Sequence, residues 1–233
     1  ILTLACMAAT SQASMIVSSG FSATTSMAVD TTGALDWGYF TGPIFSTNPS
    51  NAAFSTMTGA VVSPSSLIGA VTVSELSGVD PKSNTDVQYS FNGNTAIGGY
   101  GNLASGEDNA WSITFSDLGI GERTITLYLG HSNLTRVFTM DVALDGTTLV
   151  TNQESIAGGI GNYDTGSADE QAFRYDITVN STAPGTELTL TFGSKTGGTG
   201  EAYWAGYTVT PEPASLALFG LGGLGLLRRR RRA

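Results

Sequence analysis

The chain has 233 residues, enough to bury one sizeable core. Hydrophobic residues make up 41% and charged ones 12%, with 30 glycines, which is too apolar for disorder and too poor in Lys, Glu and Arg for a helical protein. The formal charge of −9 hides an asymmetry: five of the ten basic residues are Arg228 to Arg232, and residues 14–210 hold five basic against eighteen acidic groups, a balance that repels nucleic acid and anionic membrane surfaces.

The first segment, residues 1–13, is apolar and small-residue rich, like the back half of a signal peptide. Ser11-Gln12-Ala13 places small residues at −3 and −1 of a cleavage site before Ser14. No initiator Met or basic n-region precedes it, so the reading is a truncated signal peptide. Cys6 is the one cysteine and falls in this segment. The body therefore has neither disulfides nor thiolate-bound metal to rely on.

Residues 14–30 and 60–76 look like strands. Residues 41–58 carry Pro and Asn without a period and read as a loop. From about Val87 onward, period-2 alternation recurs in short runs between turn residues. Trp111, Ile113 and Phe115 share one face, as do Ile125, Leu127 and Leu129. Phe138, Met140, Val142 and Leu144 share another, followed by Asp145-Gly146 as a tight hairpin into Thr147–Val150. Phe173, Tyr175, Ile177 and Val179 alternate with polar residues, and so do Leu188, Leu190 and Phe192. An aromatic run, 201–210, closes the body.

Strands with one dry face need a second layer, so residues 14–210 are predicted to form an all-β, antiparallel, jelly-roll-like sandwich. The alternation predicts Leu127 inward and Thr126 toward solvent. No helix signal is found outside the two terminal segments.

The tail begins with Pro211-Glu212-Pro213, where the prolines forbid a continuous helix and leave an extended step that a protease cleft accepts. Residues 214–227 follow, apolar but only fourteen long with four glycines, short of the ~20 that a spanning helix wants. Arg228, Arg229, Arg230, Arg231 and Arg232 act as a stop-transfer run held on the cytoplasmic side. Gly220-Leu-Gly-Gly-Leu-Gly225 matches a dinucleotide fingerprint by accident, since arginines follow where that motif needs a helix and a later acidic residue.

These residues, TPEPASLALFGLGGLGLLRRRRRA, resemble the PEP-CTERM sorting signal of Gram-negative bacteria. The resemblance implies export, transient anchoring in the inner membrane, and processing by an exosortase-type membrane enzyme, with release to the cell surface or extracellular matrix. It also implies that Pro211, Glu212 and Pro213 are recognition residues for that enzyme. The chain then divides into 1–13 (signal peptide), 14–210 (sandwich) and 211–233 (sorting signal). Ala34-Leu-Asp-Trp-Gly-Tyr-Phe40 and Thr126-Leu-Tyr-Leu-Gly-His131 are similar, less specifically, to bacterial surface jelly-roll modules related to galactose-binding domains.

For chemistry, His131 is the only histidine and ends a strand, with no Gly-x-Ser-x-Gly elbow in the chain to supply a nucleophile. Glu107, Asp108 and Glu201 lie near aromatics, but eighteen acids make chance carboxylate pairs inevitable. The expectation is a non-enzymatic body without a cofactor. Residues 106–109 and 163–170 have oxygen donors that suit calcium, but neither fits an EF-hand spacing, and they read as acidic turns. For sugar stacking, Trp37 and Tyr39 share a face, and Trp204 is out of phase with Tyr203, Ala205, Tyr207 and Val209, which makes it an exposed-platform candidate. The expected function is a structural or adhesive surface protein, with extracellular polysaccharide binding as the alternative.

Overall fold

The computed structural model describes residues 13–23, 27–40, 61–62, 71–75, 83–99, 102–103, 111–131, 137–155, 160–161, 171–194 and 200–211. All the regular structure in them is β. The larger sheet contains β1 (Met15–Ala23), β2 (Ala28–Val29), β3 (Asp36–Phe40), β4 (Val61–Val62), β6 (Ser83–Phe91), β7 (Asn94–Gly99), β10 (Gly121–His131), β13 (Ile160–Gly161), β14 (Gln171–Ser181) and β17 (Tyr203–Pro211). Its main path runs β1-β14-β10-β17-β7-β6-β2, with β3 also pairing with β17 and β4, and β13 with β14. The second sheet is built from β5 (Val71–Glu75), β9 (Trp111–Phe115), β11 (Phe138–Leu144), β12 (Thr147–Glu154) and β15 (Leu188–Ser194), in the order β12-β11-β15-β9-β5. A short pair, β8 (Asn102–Leu103) with β16 (Gly200–Glu201), stands apart.

The alternating runs become the facing walls of a sandwich. Side chains on β11 alternate strictly between buried and half-buried, as a strand with one dry face must. Ile125, Leu127 and Leu129 of β10 and Phe173, Tyr175, Ile177 and Val179 of β14 share one core with Trp111, Ile113, Phe115, Met140, Leu190 and Phe192 of the second sheet. Aromatic contacts stitch the layers: Phe115 meets Tyr207 edge to face at 5.2 Å, and Trp111 stacks on Phe192 at 4.1 Å within its own sheet. Asp145 and Gly146 both have positive φ, 49° and 75°, which is the type I′ geometry that joins β11 to β12.

One expectation is corrected by the other face of the larger sheet. That face is not simply wet, because the sheet curls and its far strands lie back over its centre. Val29, Tyr39, Tyr89 and Phe91 pack there on Ala172, Tyr203 and Ala205, forming a second apolar cluster. The Tyr89 hydroxyl sits 2.9 Å from the Leu129 carbonyl and 3.0 Å from that of Phe173, so a side chain of β6 reaches β10 and β14. Gly206 permits this approach: a Cβ there would lie 2.5 Å from the Gly38 carbonyl oxygen and 2.7 Å from Phe91 Cζ.

Thr126 lies on this face too. It is only 8% exposed, and its hydroxyl donates to Asp176 Oδ1 at 2.7 Å, so it does not face open solvent. Leu127→Ala is expected to cost ~2–5 kcal/mol, and Thr126→Ala about 1 kcal/mol through its lost hydrogen bond. Thermal melts of the two variants check the ranking. Equal shifts would mean that the strand phase is wrong.

Candidate functional site

Two regions carry the sequence candidates: the end of β17 and the aromatic side of the curled sheet. Strand β17 is a central strand, flanked by β10 on one side and by β3 and β7 on the other. It stays paired to its last residue, with Thr210 opposite Thr124 and half-buried Pro211 opposite Arg123. The Leu35 amide donates to the Val209 carbonyl at 2.7 Å on the other flank. Continuing this register would set Glu212 against Glu122 and Pro213, which has no N–H, against Gly121. Like charges directly opposite and a missing donor both oppose further pairing, so the sequence ends the strand where the Pro-Glu-Pro motif begins. Glu212, Pro213 and Arg228 to Arg232 lie outside the described residues, as do residues 214–227. Among the described residues no helix is long and apolar enough to cross a membrane.

On the aromatic side, Trp37 of β3 is half-buried, Tyr39 is buried, and both stack on Phe91 at 6.3 and 5.5 Å, with 5.8 Å between their own rings. Trp37 lies opposite Thr208 in register. The Tyr128 hydroxyl is 3.4 Å from Thr208 Oγ1, and its ring meets Phe91 edge to face at 5.3 Å. Alongside runs a polar ridge. Arg174 pairs with Asp176 at 3.0 Å and donates from Nε to Ser22 at 2.9 Å, while Thr124 and Thr178 share a hydrogen bond of 2.7 Å. Burial pushes the Tyr128 phenol above its ordinary value, against a smaller lowering from the Thr208 hydrogen bond and Arg174. It therefore remains a neutral hydroxyl throughout the physiological range. The surface thus offers a half-buried ring, the half-buried hydroxyls of Thr124 and Thr178, a phenol and an ion pair within one neighbourhood, while Thr208 lies buried beneath it.

Trp204 does not belong to this surface, which corrects its assignment as an exposed platform. It is 1% exposed and lies in the sandwich core with Tyr207 and Val209, while Tyr203 and Ala205 join the cluster on the opposite face. The cause is a β-bulge: Tyr128 pairs with Gly206, but Leu129 pairs with Trp204, so β17 carries one extra residue there. The extra residue inverts the phase that simple alternation assigns. The indole Nε1–H donates to the Gly206 carbonyl at 2.8 Å across the bulge.

His131 ends β10 opposite Gln171, as expected of a strand-end residue. Residues 106–109 and 163–170 lie outside the described residues, and so do Glu107 and Asp108. Glu201 pairs through its backbone with Asn102 on the short pair. Among the described residues, no group of three His, Cys, Asp or Glu side chains is placed to hold a metal ion. Tyr128, Asp176, Arg174 and Thr208 went unnoticed in the sequence because they come from three strands and are ordinary residues in alternating runs.

No curated protein is significantly similar to the chain in sequence. Among solved structures, an exo-β-1,3-galactanase from Phanerochaete chrysosporium is 16% identical over 61% of this chain and 26% of its own, with a TM-score of 0.27. A carbohydrate-binding module, CBM51-2, with INT domains from Clostridium perfringens ZmpB is 10% identical over 61% of this chain and 30% of its own, at 0.31. A CBM51 from Clostridium perfringens GH95, solved with methyl-galactose, is 10% identical over 60% of this chain and 93% of its own, at 0.29. The chain thus spans about a quarter of the galactanase. Superpositions this partial transfer neither a ligand nor an activity. A family model, the PEP-CTERM protein-sorting motif, matches residues 209–232. The chain carries a PEP-CTERM sorting motif, and that motif starts inside the last strand of a β-sandwich.

Proposed function

We propose that this is an exported structural or adhesive protein of the cell surface or extracellular matrix, with a non-catalytic β-sandwich delivered by exosortase-type sorting. The observation that carries this reading is the PEP-CTERM motif at 209–232, joined to central strand β17 without a linker. In this reading residues 1–13 direct export and 14–210 are the cargo. Residues 214–227 hold the chain transiently in the inner membrane, and Pro211-Glu212-Pro213 present it to the membrane enzyme. The five arginines stop transfer, because a short glycine-rich segment alone holds weakly. Replacing Arg228 to Arg232 by Ser in a host lacking the exosortase is expected to release the chain from the membrane fraction. Unchanged retention would contradict the proposal.

A second reading, binding of extracellular polysaccharide, is favoured by one observation: half-buried Trp37 in the same neighbourhood as the half-buried Tyr128 hydroxyl. Pyranose rings stack on such a face while hydroxyls fix their orientation. A glycan array on the folded body should then show a hit that Trp37→Ala abolishes and Trp37→Phe partly keeps. A hit indifferent to Trp37→Ala would remove Trp37 as its platform.

A further inference from the structure

Both ends of the sandwich leave from one pole. Ser14 lies there, its hydroxyl 3.0 Å from Thr186 Oγ1 and accepting from the Thr182 amide at 3.1 Å. Met15 pairs with Asn180, Gly121 with Ser181, and Arg123 with Pro211. Strands β1, β14, β10 and β17 are neighbours in that order. Ser14 and Pro211 are therefore separated by about three strand spacings, or ~14 Å at ~4.8 Å each.

Turns from both sheets complete this pole. The Leu118 amide donates to the Thr186 carbonyl at 2.9 Å, the Gly185 amide to Asp117 at 3.0 Å, and the Glu187 amide to Asp145 at 2.9 Å. Ile120 is the most exposed large apolar side chain among the described residues, at 62%, and Met15 is 48% exposed. Ile120 stands between Gly119 and Gly121, both with positive φ (68° and 116°). Arg123 braces the turn from beneath: its Nη2 donates to the Ile120 carbonyl at 3.3 Å and would sit 2.8 Å from a Cβ on Gly119. Among the described residues, the charged side chains of the pole are Asp117, Glu122, Asp145, Glu187 and Arg123. That balance does not draw it to anionic lipid. Only a tether can.

The tether is short. Three residue steps lead from Pro211 to Ala214, the first of the apolar segment, and they reach at most ~10 Å. Three residue steps also lead from Arg123, level with Pro211, to Ile120, again at most ~10 Å. The Ile120 turn and the first residue of the apolar segment are thus both held within ~10 Å of the level of Arg123 and Pro211.

We infer that this pole is the membrane-facing surface of the sandwich while residues 214–227 hold the chain, with Ile120 at the lipid surface and Ser14 and Pro211 emerging there side by side. The inference rests on the reading of 214–227 as a membrane segment. It has a consequence for assembly: the body folds fully while either or both ends are held, and the sorting enzyme meets a folded domain pole-on.

The test uses the full chain, with Cys6→Ser, in vesicles of phosphatidylethanolamine and phosphatidylglycerol doped with a headgroup-nitroxide lipid. A bimane label is attached at Ile120→Cys, at Ala183→Cys in the 181–186 turn, or at Glu154→Cys. Glu154 pairs with Thr139, beside Phe138, whose ring packs on Phe173 opposite Leu129. That is eight strand steps from Gly121, or about 26 Å. All three side chains are exposed, so labelling does not disturb the core. Quenching several-fold stronger at 120 and 183 than at 154 is expected. Equal quenching, or stronger quenching at 154, in chain that floats with the vesicles would overturn the inference alone. Chain that does not float would overturn the membrane reading and the inference together.

Discussion

Trp204→Ala should lower the melting temperature of the sandwich by about 6–20 °C, the largest effect expected of any single substitution on the aromatic strand β17. The indole is 1% exposed, packs among the side chains that join the two sheets, and lies 6.4 Å from Tyr207 in a stacked arrangement. Truncating such a residue costs ~3–5 kcal/mol, out of a total stability of ~5–15 kcal/mol. In a domain of this size each kcal/mol is worth about 2–4 °C. The variant also loses the hydrogen bond that Nε1–H makes to Gly206 across the bulge, leaving that buried carbonyl a partner short. Trp37→Ala removes a half-buried ring on the outer face and is expected to cost much less. If Trp204→Ala left the melt unchanged and removed binding to a glycan, the exposed-platform reading would be right and the bulge assignment wrong.

Much of the sandwich was legible because its strands obey period 2. The runs 111–115, 125–129, 138–144, 173–179 and 188–192 announce their inward faces, and every residue assigned inward in them is buried. The Asp145-Gly146 turn was legible from its residue types. Asn92-Gly93, with positive φ at 51° and 83°, carries the same signal between β6 and β7 but was not read from the sequence. Trp204 misled because alternation assumes an unbroken ladder, and one inserted residue reverses every face beyond it. Thr126 misled for a different reason. It is 8% exposed and its hydroxyl donates to Asp176 on the neighbouring strand, and local pattern holds no information about cross-strand partners. The polar-aromatic neighbourhood of Tyr128 and Thr208 joins residues 80 apart in sequence. It becomes visible only once the register of β10, β17 and β3 is known. The sorting motif was legible throughout, because it is a contiguous pattern of proline, apolar and arginine residues that needs no tertiary contact to be seen in the sequence.

Glu212→Ala together with Pro213→Ala should block maturation almost completely while leaving the body folded. Pro211, the last paired residue of β17, is kept in this variant, so the ladder with Arg123 is undisturbed. The two substitutions fall beyond the strand, and their effect is therefore on recognition rather than on stability. The variant should accumulate in the membrane fraction at full length, with a melting temperature matching that of the unmodified body. Free passage of the variant to the surface would mean that the motif is not what the processing enzyme reads.

The central claim is that this sandwich is cargo, released from its own C-terminal tail at the Pro-Glu-Pro step. Intact-mass spectrometry of the protein recovered from the cell surface tests it most directly. The expected species lacks the apolar segment and the five arginines, and ends close to Pro213. A surface species that still ends in Ala233 would contradict the account.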